Sequence, residues 1–245
     1  MDFPPQTRTG LDDALREWWT ENLGRSGALP TLKKLAQELW FFLRDSTPEQ
    51  RRRRYGDVEY DWDHRVNTTS ATVSWHDRLL GVFYSPYQPT EPNLFREMLQ
   101  ALPIDFSKFT FIDLGSGKGR ALLMASDYPF QRILGVELLP ELNRVACDNL
   151  RSYSNPSQKC FDIESIRADA RDFEFPPDAL VLYLFNPLPE PGLSDVIQNL
   201  EKSLRTYPRP TFVLYHNPLL EHLFLQSSAF RKVGGTHQFS VFSAG

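Results

Sequence analysis

The sequence predicts an α/β protein with a doubly wound sheet, preceded by a helical extension. Residues 110–114 form a β-branched and apolar run, a glycine-rich turn follows at 115–119, and helix formers begin at Arg120. Short apolar runs alternate with helical segments through the rest of the chain. The chain ends on two strand-like pieces around Gly234 and Gly235, which predict an antiparallel pair that closes the sheet.

Composition limits the possible partners. The chain has 245 residues, of which 41% are hydrophobic, so it can bury a sizeable core. Its net charge of −4 disfavours bulk attraction to nucleic acid or to an anionic membrane, and we expect neither partner. Cys147 and Cys160 lack metal-cluster spacing and are expected to be free thiols in a reducing compartment. The start of the chain has no secretory h-region, and we expect a cytoplasmic location.

The first part of the chain predicts two helices, over residues 11–22 and 29–44, separated by a stretch at 24–27 with a glycine at each end. Large aromatic residues lie on both of them. We expect these side chains to pack against each other or against the main domain; they are Trp18, Trp19, Trp40, Phe41 and Phe42.

Two charged stretches follow these helices. The run Arg51-Arg52-Arg53-Arg54 is interpreted as a solvated helix face, with phosphate binding as the alternative. In the next stretch, Asp61, Asp63 and His64 are interpreted as polar contacts to a substrate or between domains. A metal site is the other possibility there, but the set lacks a completing ligand, so no metal is predicted.

Prolines then fix a turn that contains Tyr84, Tyr87 and Thr90. Rigid aromatic turns suit the walls of pockets, although a linker to the main domain explains the prolines nearly as well. A helix is predicted directly after this turn, over residues 93–102.

The remaining elements follow in regular alternation. Strands are predicted over residues 110–114, 132–137, 165–168, 179–185 and 211–215. Crossover helices are predicted over residues 140–152 and 192–206, with a shorter one over 216–225. With the closing pair, these strands give a Rossmann-like sheet of seven strands.

Acidic residues follow three successive strands. Because ligands bind beyond the carboxyl ends of strands in such sheets, Asp113, Glu137 and Asp169 are expected to border one site. A carboxylate after the second strand suits the two ribose hydroxyls, and one after the third suits the adenine amine. The pattern therefore indicates an adenosine-containing ligand.

The spacing of the glycines distinguishes between such ligands. The dinucleotide fingerprint is G-x-G-x-x-G, whereas Gly115, Gly117 and Gly119 alternate and Arg120 occupies the position of the third glycine. Asp113 would repel a pyrophosphate but suits a cationic group. S-adenosylmethionine carries an ammonium and a sulfonium, and it is the predicted cofactor, with S-adenosylhomocysteine as its product.

The run from Asp113 to Gly119, with Glu137, Asp169 and the closing strands, resembles the class I S-adenosylmethionine-dependent methyltransferases. The turn from Tyr84 to Thr90 is similar to that of a bacterial group of these enzymes, and the D-L-G-S-G loop also resembles seven-strand protein lysine methyltransferases. The resemblance implies a methyltransferase domain over residues 93–245, with residues 1–92 as a segment that covers the cofactor and shapes the substrate pocket.

The resemblance also implies roles for single residues. It places Asp113 and the three glycines at the methionine end, Glu137 at the ribose and Asp169 at the adenine. Lys118 is expected either to bond the methionine carboxylate or to point to solvent. The complete predicted cofactor set is Tyr84, Thr90, Asp113, Gly115, Ser116, Gly117, Lys118, Gly119, Glu137, Leu138, Asp169, Ala170 and Asn186.

The residues after the fourth strand concern the methyl acceptor. Asn186-Pro187-Leu188-Pro189 resembles part of the N-P-P-Y-type motif of amino-group methyltransferases, which favours a nitrogen acceptor over an oxygen acceptor without excluding the latter. The predicted catalytic residues are Asn186, Tyr87 and His216, the last as a candidate base. The predicted function is methylation of a nitrogen in a small molecule or protein side chain. The alternatives are a nucleotide-dependent oxidoreductase and an adaptor that binds nucleic acid through the arginine run.

Overall fold

The structure is a computed structural model that describes residues 11–45, 58–69 and 87–245. Tyr84 and the arginine run lie outside these described residues. The helices are α1 (Leu11–Ser26), α2 (Ala28–Asp45), α3 (Val58–His64), α4 (Pro92–Gln100), α5 (Arg120–Ala125), α6 (Pro140–Ser152), α7 (Glu190–Thr206) and α8 (Glu221–Gln226). The strands are β1 (Phe109–Leu114), β2 (Arg132–Glu137), β3 (Ile163–Arg167), β4 (Ala179–Leu184), β5 (Thr211–His216), β6 (Arg231–Gly235) and β7 (Phe239–Ala244).

The seven strands form one sheet in the order β3-β2-β1-β4-β5-β7-β6. Strands β1 to β5 run parallel, whereas β7 is antiparallel to both β5 and β6. The predicted doubly wound sheet with a closing antiparallel pair is therefore confirmed. In this register Asp113 lies beside Gly135 of β2 on one side and Tyr183 of β4 on the other, which brings these residues to one place in the sheet.

Both faces of the sheet are covered, because alternate residues of each central strand enter two separate clusters of buried side chains. On β1, Ile112 and Leu114 belong to the cluster that includes residues of α7, whereas Phe111 packs with residues of α4 and α5. Helix α4 starts at a proline after Glu91, whose carboxylate accepts bonds from two backbone N–H groups of the first turn. The helix that follows the proline turn thus packs onto the sheet.

The predicted strands agree with the structure to within about two residues at each end, but the helix predicted over residues 216–225 was wrong at its start. His216 ends β5, and Asn217 has a φ of +48°, in the left-handed region. Pro218 follows directly. These residues turn the backbone and prevent a helix from starting here, so α8 begins only at Glu221.

The first two helices extend further than predicted and meet at Gly27, which has a φ of +78°. Trp18 is buried, as expected, but Trp40 is 65% exposed, so the prediction that it packs was wrong. The side chains of Phe41 and Phe42 lie outside the described residues.

Two further expectations concern the whole chain. Cys147 and Cys160 are both free thiols, as predicted. Over the parts of the chain that the structure describes, no helix combines the length and the apolar character needed to cross a membrane.

Candidate functional site

A cavity lies at the carboxyl ends of β1, β2 and β4. Strands β1 and β4 are neighbours in the sheet, although β2 and β3 come between them in the sequence, so the sheet reverses its winding direction here. Such a reversal leaves a crevice between helices on opposite faces. Its described lining consists of Tyr87, Gln88, Pro89, Thr90, Asp113, Gly115, Ser116, Gly117, Arg120, Ala121, Val136, Glu137, Leu138, Leu139, Leu142, Ala168, Asp169, Ala170, Tyr183, Phe185, Pro187 and Leu188.

The glycine turn between β1 and α5 forms one side of the cavity. Gly115, Gly117 and Gly119 have φ values of +79°, +54° and +83°, which L side chains rarely adopt. A Cβ at Gly115 would lie 2.6 Å from Cβ of Pro187, and one at Gly117 would lie 2.2 Å from Cε2 of Tyr87. The glycines therefore provide both the backbone path and the space at this turn.

Glu137, the last residue of β2, holds the glycine turn in place. One carboxylate oxygen accepts a hydrogen bond from the backbone N–H of Gly117 at 2.8 Å, and the other accepts from Leu139 at 2.7 Å. Glu137 thus orders the turn and also borders the cavity.

Gly135, which the sequence analysis did not single out, lies under the glycine turn on β2. A Cβ at this position would come within 2.7 Å of Oγ of Ser116 and 2.6 Å of Leu122. The turn can therefore lie directly on β2 because no side chain separates them.

Asp113 is the acid in the centre of the site, with only 3% of its surface exposed. Burial, followed by the nearby carboxylate of Glu137, holds the pKa of Asp113 well above its usual range. Both causes oppose a negative charge at this position, so a cation that enters the cavity would stabilise the ionised carboxylate.

Asp169 follows β3 and borders the cavity, as predicted. It begins the short 3-10 helix Ala170–Asp172 and accepts a hydrogen bond from the backbone N–H of Arg171 at 2.9 Å. The guanidinium of Arg171 also donates to its carboxylate, with a shortest distance of 2.7 Å. An adenine amine at this acid would therefore share it with Arg171.

Lys118 lies on the side of the glycine turn that faces the N-terminal segment. Its Nζ donates to the carbonyl oxygen of Thr69 at 2.8 Å and to Oδ1 of Asn67 at 3.2 Å. Asn149 ties the same region together, because its amide donates to the carbonyl oxygens of Asn67 and Lys118. Lys118 is only 1% exposed, so the expectation that it points to solvent was wrong.

Arg120 is a site residue that sequence reasoning used only to exclude a dinucleotide. Arg120 is among the residues that line the cavity, and its buried guanidinium donates from Nε to Oγ1 of Thr68 at 2.6 Å and forms an ion pair with Asp61 at 3.2 Å. Asp61 was expected to make a polar contact to a substrate or between domains; the structure shows its carboxylate paired with Arg120 of α5, and the division into domains stays a prediction. Within residues 11–45, 58–69 and 87–245, no group of side chains forms a metal site.

Tyr87 and Thr90 also line the cavity. The Tyr87 hydroxyl donates to the carbonyl oxygen of Thr68 at 2.6 Å. The Thr90 hydroxyl lies 2.7 Å from the hydroxyl of Tyr183, which lies 2.9 Å from Nδ1 of His216. A buried hydrogen-bonded chain thus leads from the cavity wall to the end of β5.

His216 is at the buried end of this chain and does not border the cavity. Its ring stacks on Phe185 with 3.8 Å between the centroids, and burial lowers its pKa to about 4. The imidazole is therefore neutral near pH 7. This position does not favour its predicted role as a base that contacts the substrate.

Asn186 adopts a left-handed conformation, with a φ of +44°. Its side-chain amide donates to the carbonyl oxygen of Asn217 at 2.7 Å and accepts from the hydroxyl of Tyr215 at 2.9 Å. Both polar atoms of the side chain thus contact the segment around the end of β5.

Ten predicted site residues do line the cavity: Tyr87, Thr90, Asp113, Gly115, Ser116, Gly117, Glu137, Leu138, Asp169 and Ala170. Four others are not part of this lining: Lys118, Gly119, Asn186 and His216. Sequence reasoning also missed Tyr183 and Phe185, although both occur at the end of a predicted strand. Their position near the carboxyl end of that strand could have identified them as site residues.

No family model matches the chain, and no curated protein matches it. Similar solved structures include an RNA methyltransferase from Salinibacter ruber in complex with S-adenosyl-L-homocysteine, with 20% identity, a TM-score of 0.44, and coverage of 64% of this chain and 92% of that one. A precorrin-6y C5,15-methyltransferase from Geobacter metallireducens has 14% identity, a TM-score of 0.46, and coverage of 64% and 89%.

A third similar structure is a predicted N6-adenine-specific DNA methylase from Listeria monocytogenes. It has 13% identity, a TM-score of 0.47, and coverage of 64% of this chain and 51% of that one. The expectation that nucleic acid is not a partner stays a prediction.

Proposed function

We propose that this chain is an S-adenosylmethionine-dependent methyltransferase. One observation carries the proposal: the cavity contains a buried acid, Asp113, whose pKa is raised by burial and by Glu137. A dinucleotide would bring a pyrophosphate, and thus more negative charge, to this acid. The ammonium and the sulfonium of S-adenosylmethionine are positive, and the low dielectric of a buried site strengthens their attraction.

The lining residues fit this cofactor. Gly115 and Gly117 leave the space that side chains would occupy, and the acids Asp113, Glu137 and Asp169 border one cavity. When bound, S-adenosylmethionine supplies an electrophilic methyl group. Asp113 would hold its ammonium, Glu137 its ribose hydroxyls, and Asp169 the adenine amine, as the sequence resemblance implies.

Methyl transfer to a nucleophile requires alignment and exclusion of water more than a dedicated catalytic nucleophile in the protein. The cavity wall nearest the end of β4 is apolar, with Phe185, Pro187 and Leu188. These residues would exclude water beside the acceptor. Tyr87 lies over Gly117 and would restrict how the acceptor approaches.

We also propose that the acceptor is a nitrogen of a small molecule or protein side chain. Support comes from the Asn186-Pro187 pair, although the amide of Asn186 is bonded to Asn217 and Tyr215. Asn186→Gly tests this role, because glycine tolerates the φ of +44° while removing the amide. A fall in kcat of about tenfold or more at unchanged cofactor affinity would support the role, and an unchanged kcat would contradict it.

The segment before α4 is proposed to cover the cofactor. Residues 58–69 contact Lys118 of the glycine turn through Thr69, and Arg120 of α5 through Asp61 and Thr68, which supports this role. The same segment is proposed to shape the substrate pocket, and support for this role comes from Tyr87, which lines the cavity over Gly117.

Calorimetric titration tests the cofactor directly. We expect S-adenosylmethionine and S-adenosylhomocysteine to bind, and NAD to bind at least about tenfold more weakly. Asp113→Ala should weaken both adenosyl ligands. Binding of NAD without a response to either adenosyl ligand would contradict the proposal and favour an oxidoreductase.

A further inference from the structure

Helix α2 carries an apolar stripe on its surface. Leu29, Leu32 and Leu39 are 80%, 51% and 37% exposed, and Ala36 is exposed among them. Half of the large hydrophobic side chains that are exposed in the described part of the chain lie on α1 and α2. Single exposed hydrophobic residues are common on protein surfaces, whereas a concentration of them indicates a contact with another molecule.

The stripe has the spacing of a seam between helices. Successive members at positions 29, 32, 36 and 39 are separated by three, four and three residues, which places their side chains in one row along α2. Such a row packs into the spaces between the side chains of a second helix that lies at a shallow angle to the first. The spacing therefore predicts that a helix covers the stripe.

Helix α1 contacts the other side of α2. Nζ of Lys34 donates to Oδ1 of Asn22 at 2.8 Å and lies over the ring of Trp18, 5.8 Å from its centroid. Lys34 is two positions from both Leu32 and Ala36, so it lies about 160° around the helix from each of them. These contacts to α1 are thus on the side of α2 opposite the stripe.

A second copy of the chain supplies a helix with a matching row. When two identical faces pair about a two-fold axis, each α2 offers the other an apolar row of the same length, and the assembly closes as a dimer. Because α1 lies on the outer side of each α2, the two α2 helices would be central and the two α1 helices would flank them.

The exposed apolar area is enough for a dimer of moderate stability. Trp40 follows Leu39 and is 65% exposed, and together with the three leucines it gives about 350 Å² of apolar surface on one copy. About 65% of a homodimer interface is apolar, so two copies would bury about 1,100 Å² in total. A specific interface needs about 1,000 Å². We therefore expect dissociation in the micromolar range.

We propose that α2 forms the interface of a homodimer, in which the stripe of Leu29, Leu32, Ala36 and Leu39 packs against α2 of a second copy. The inference goes beyond the proposed function and is independent of it, because the described cavity lining consists of other residues. It gives the two N-terminal helices a role in assembly, whereas residues 58–69 contact the site.

Sedimentation equilibrium of the 245-residue chain tests the proposal, at concentrations from about 1 to 100 μM. The mass should rise to twice that of one chain, with a dissociation constant of about 10 μM or less. Leu32→Glu should raise this constant by about 100-fold or more, because each dimer loses two buried leucines and gains two acids at the seam. Gln37→Glu is the matched control: it adds the same charge to an exposed position of α2 outside the row, and the constant should change by less than about threefold.

A second variant keeps the proposal testable if Leu32→Glu does not fold, as judged by its circular dichroism spectrum. Leu29 is the most exposed member of the stripe, so Leu29→Glu should preserve the monomer and still weaken the dimer by about tenfold or more. A dimer that persists unchanged in the folded seam variants, or that Gln37→Glu weakens equally, would place the interface elsewhere and overturn the proposal. An unmodified chain that stays monomeric would also overturn it, and its binding to phosphatidylserine vesicles would assign the stripe to a lipid surface instead.

Discussion

Replacing Gly117 by alanine should damage the glycine turn through Tyr87. The added Cβ would lie 2.2 Å from Cε2 and 2.4 Å from Cδ2 of the tyrosine ring, whereas carbon atoms in contact are separated by about 3.5–4.0 Å. The ring must therefore move by about 1 Å or more. Such a shift would strain the 2.6 Å hydrogen bond from its hydroxyl to Thr68.

Two costs contribute to the expected loss of stability. The φ of +54° costs an alanine about 1–2 kcal/mol relative to glycine, whatever its neighbours. Displacing Tyr87 adds about 1–2 kcal/mol, from its hydrogen bond and from lost ring contacts. Gly117→Ala should thus lower the free energy of unfolding by about 2–4 kcal/mol in the unmodified protein.

A double-mutant cycle separates the two costs. In a Tyr87→Ala background the ring is absent, so Gly117→Ala should cost only about 1–2 kcal/mol. Tyr87→Phe is the matched control, because it keeps the ring and removes the hydroxyl; the full steric cost should persist there. The free energies come from urea unfolding at constant m value. An equal cost of Gly117→Ala in the unmodified protein and in the Tyr87→Ala background would refute steric coupling between these residues.

Three further substitutions test the buried polar groups of the site. Asp113→Asn should raise the Tm of the ligand-free protein at pH 8, by about 2–4 °C for each kcal/mol gained in the free energy of unfolding, because the raised pKa of Asp113 makes its ionisation in the folded state costly. This gain should vanish at acid pH, and an unchanged or lower Tm at pH 8 would contradict the prediction. The unmodified protein should lose stability as the pH falls from 6.5 to 4, because the pKa of His216 is lowered to about 4 in the folded state. His216→Gln should reduce this loss in the free energy of unfolding by up to about 3 kcal/mol. An unaltered pH profile from urea unfolding would argue against this. Tyr183→Phe should lower the free energy of unfolding, measured in urea, by about 1–3 kcal/mol, because it removes the hydroxyl between Thr90 and His216. A loss below about 0.5 kcal/mol would show that this hydrogen-bonded chain contributes little to stability.

The fold could be predicted from the sequence because its signals are local. Each buried strand is a short apolar run, and each crossover helix has its own periodicity. The acids at the ends of β1, β2 and β3 could also be predicted to meet, because parallel strands end at one edge of the sheet. Asp113, Glu137 and Asp169 do border one cavity.

The rest of the site depends on contacts between distant parts of the chain. Nothing in the local sequence pairs Asp61 with Arg120 or directs Lys118 to Thr69, because these contacts join residues about fifty to sixty positions apart. The orientation of Asn186 is set in the same way by Asn217 and Tyr215. A motif predicts which residue types are present, whereas the surrounding fold decides where their polar atoms point.

The contacts between residues 58–69 and the glycine turn bear on where this protein can be divided. A fragment that started at residue 93 would keep all seven strands but would lack Asp61, Thr68 and Thr69. Lys118 and Arg120 would then lose these acceptors. The boundary at residue 92 stays a prediction from the sequence pattern, and we expect a fragment that keeps these contacts to begin before α3.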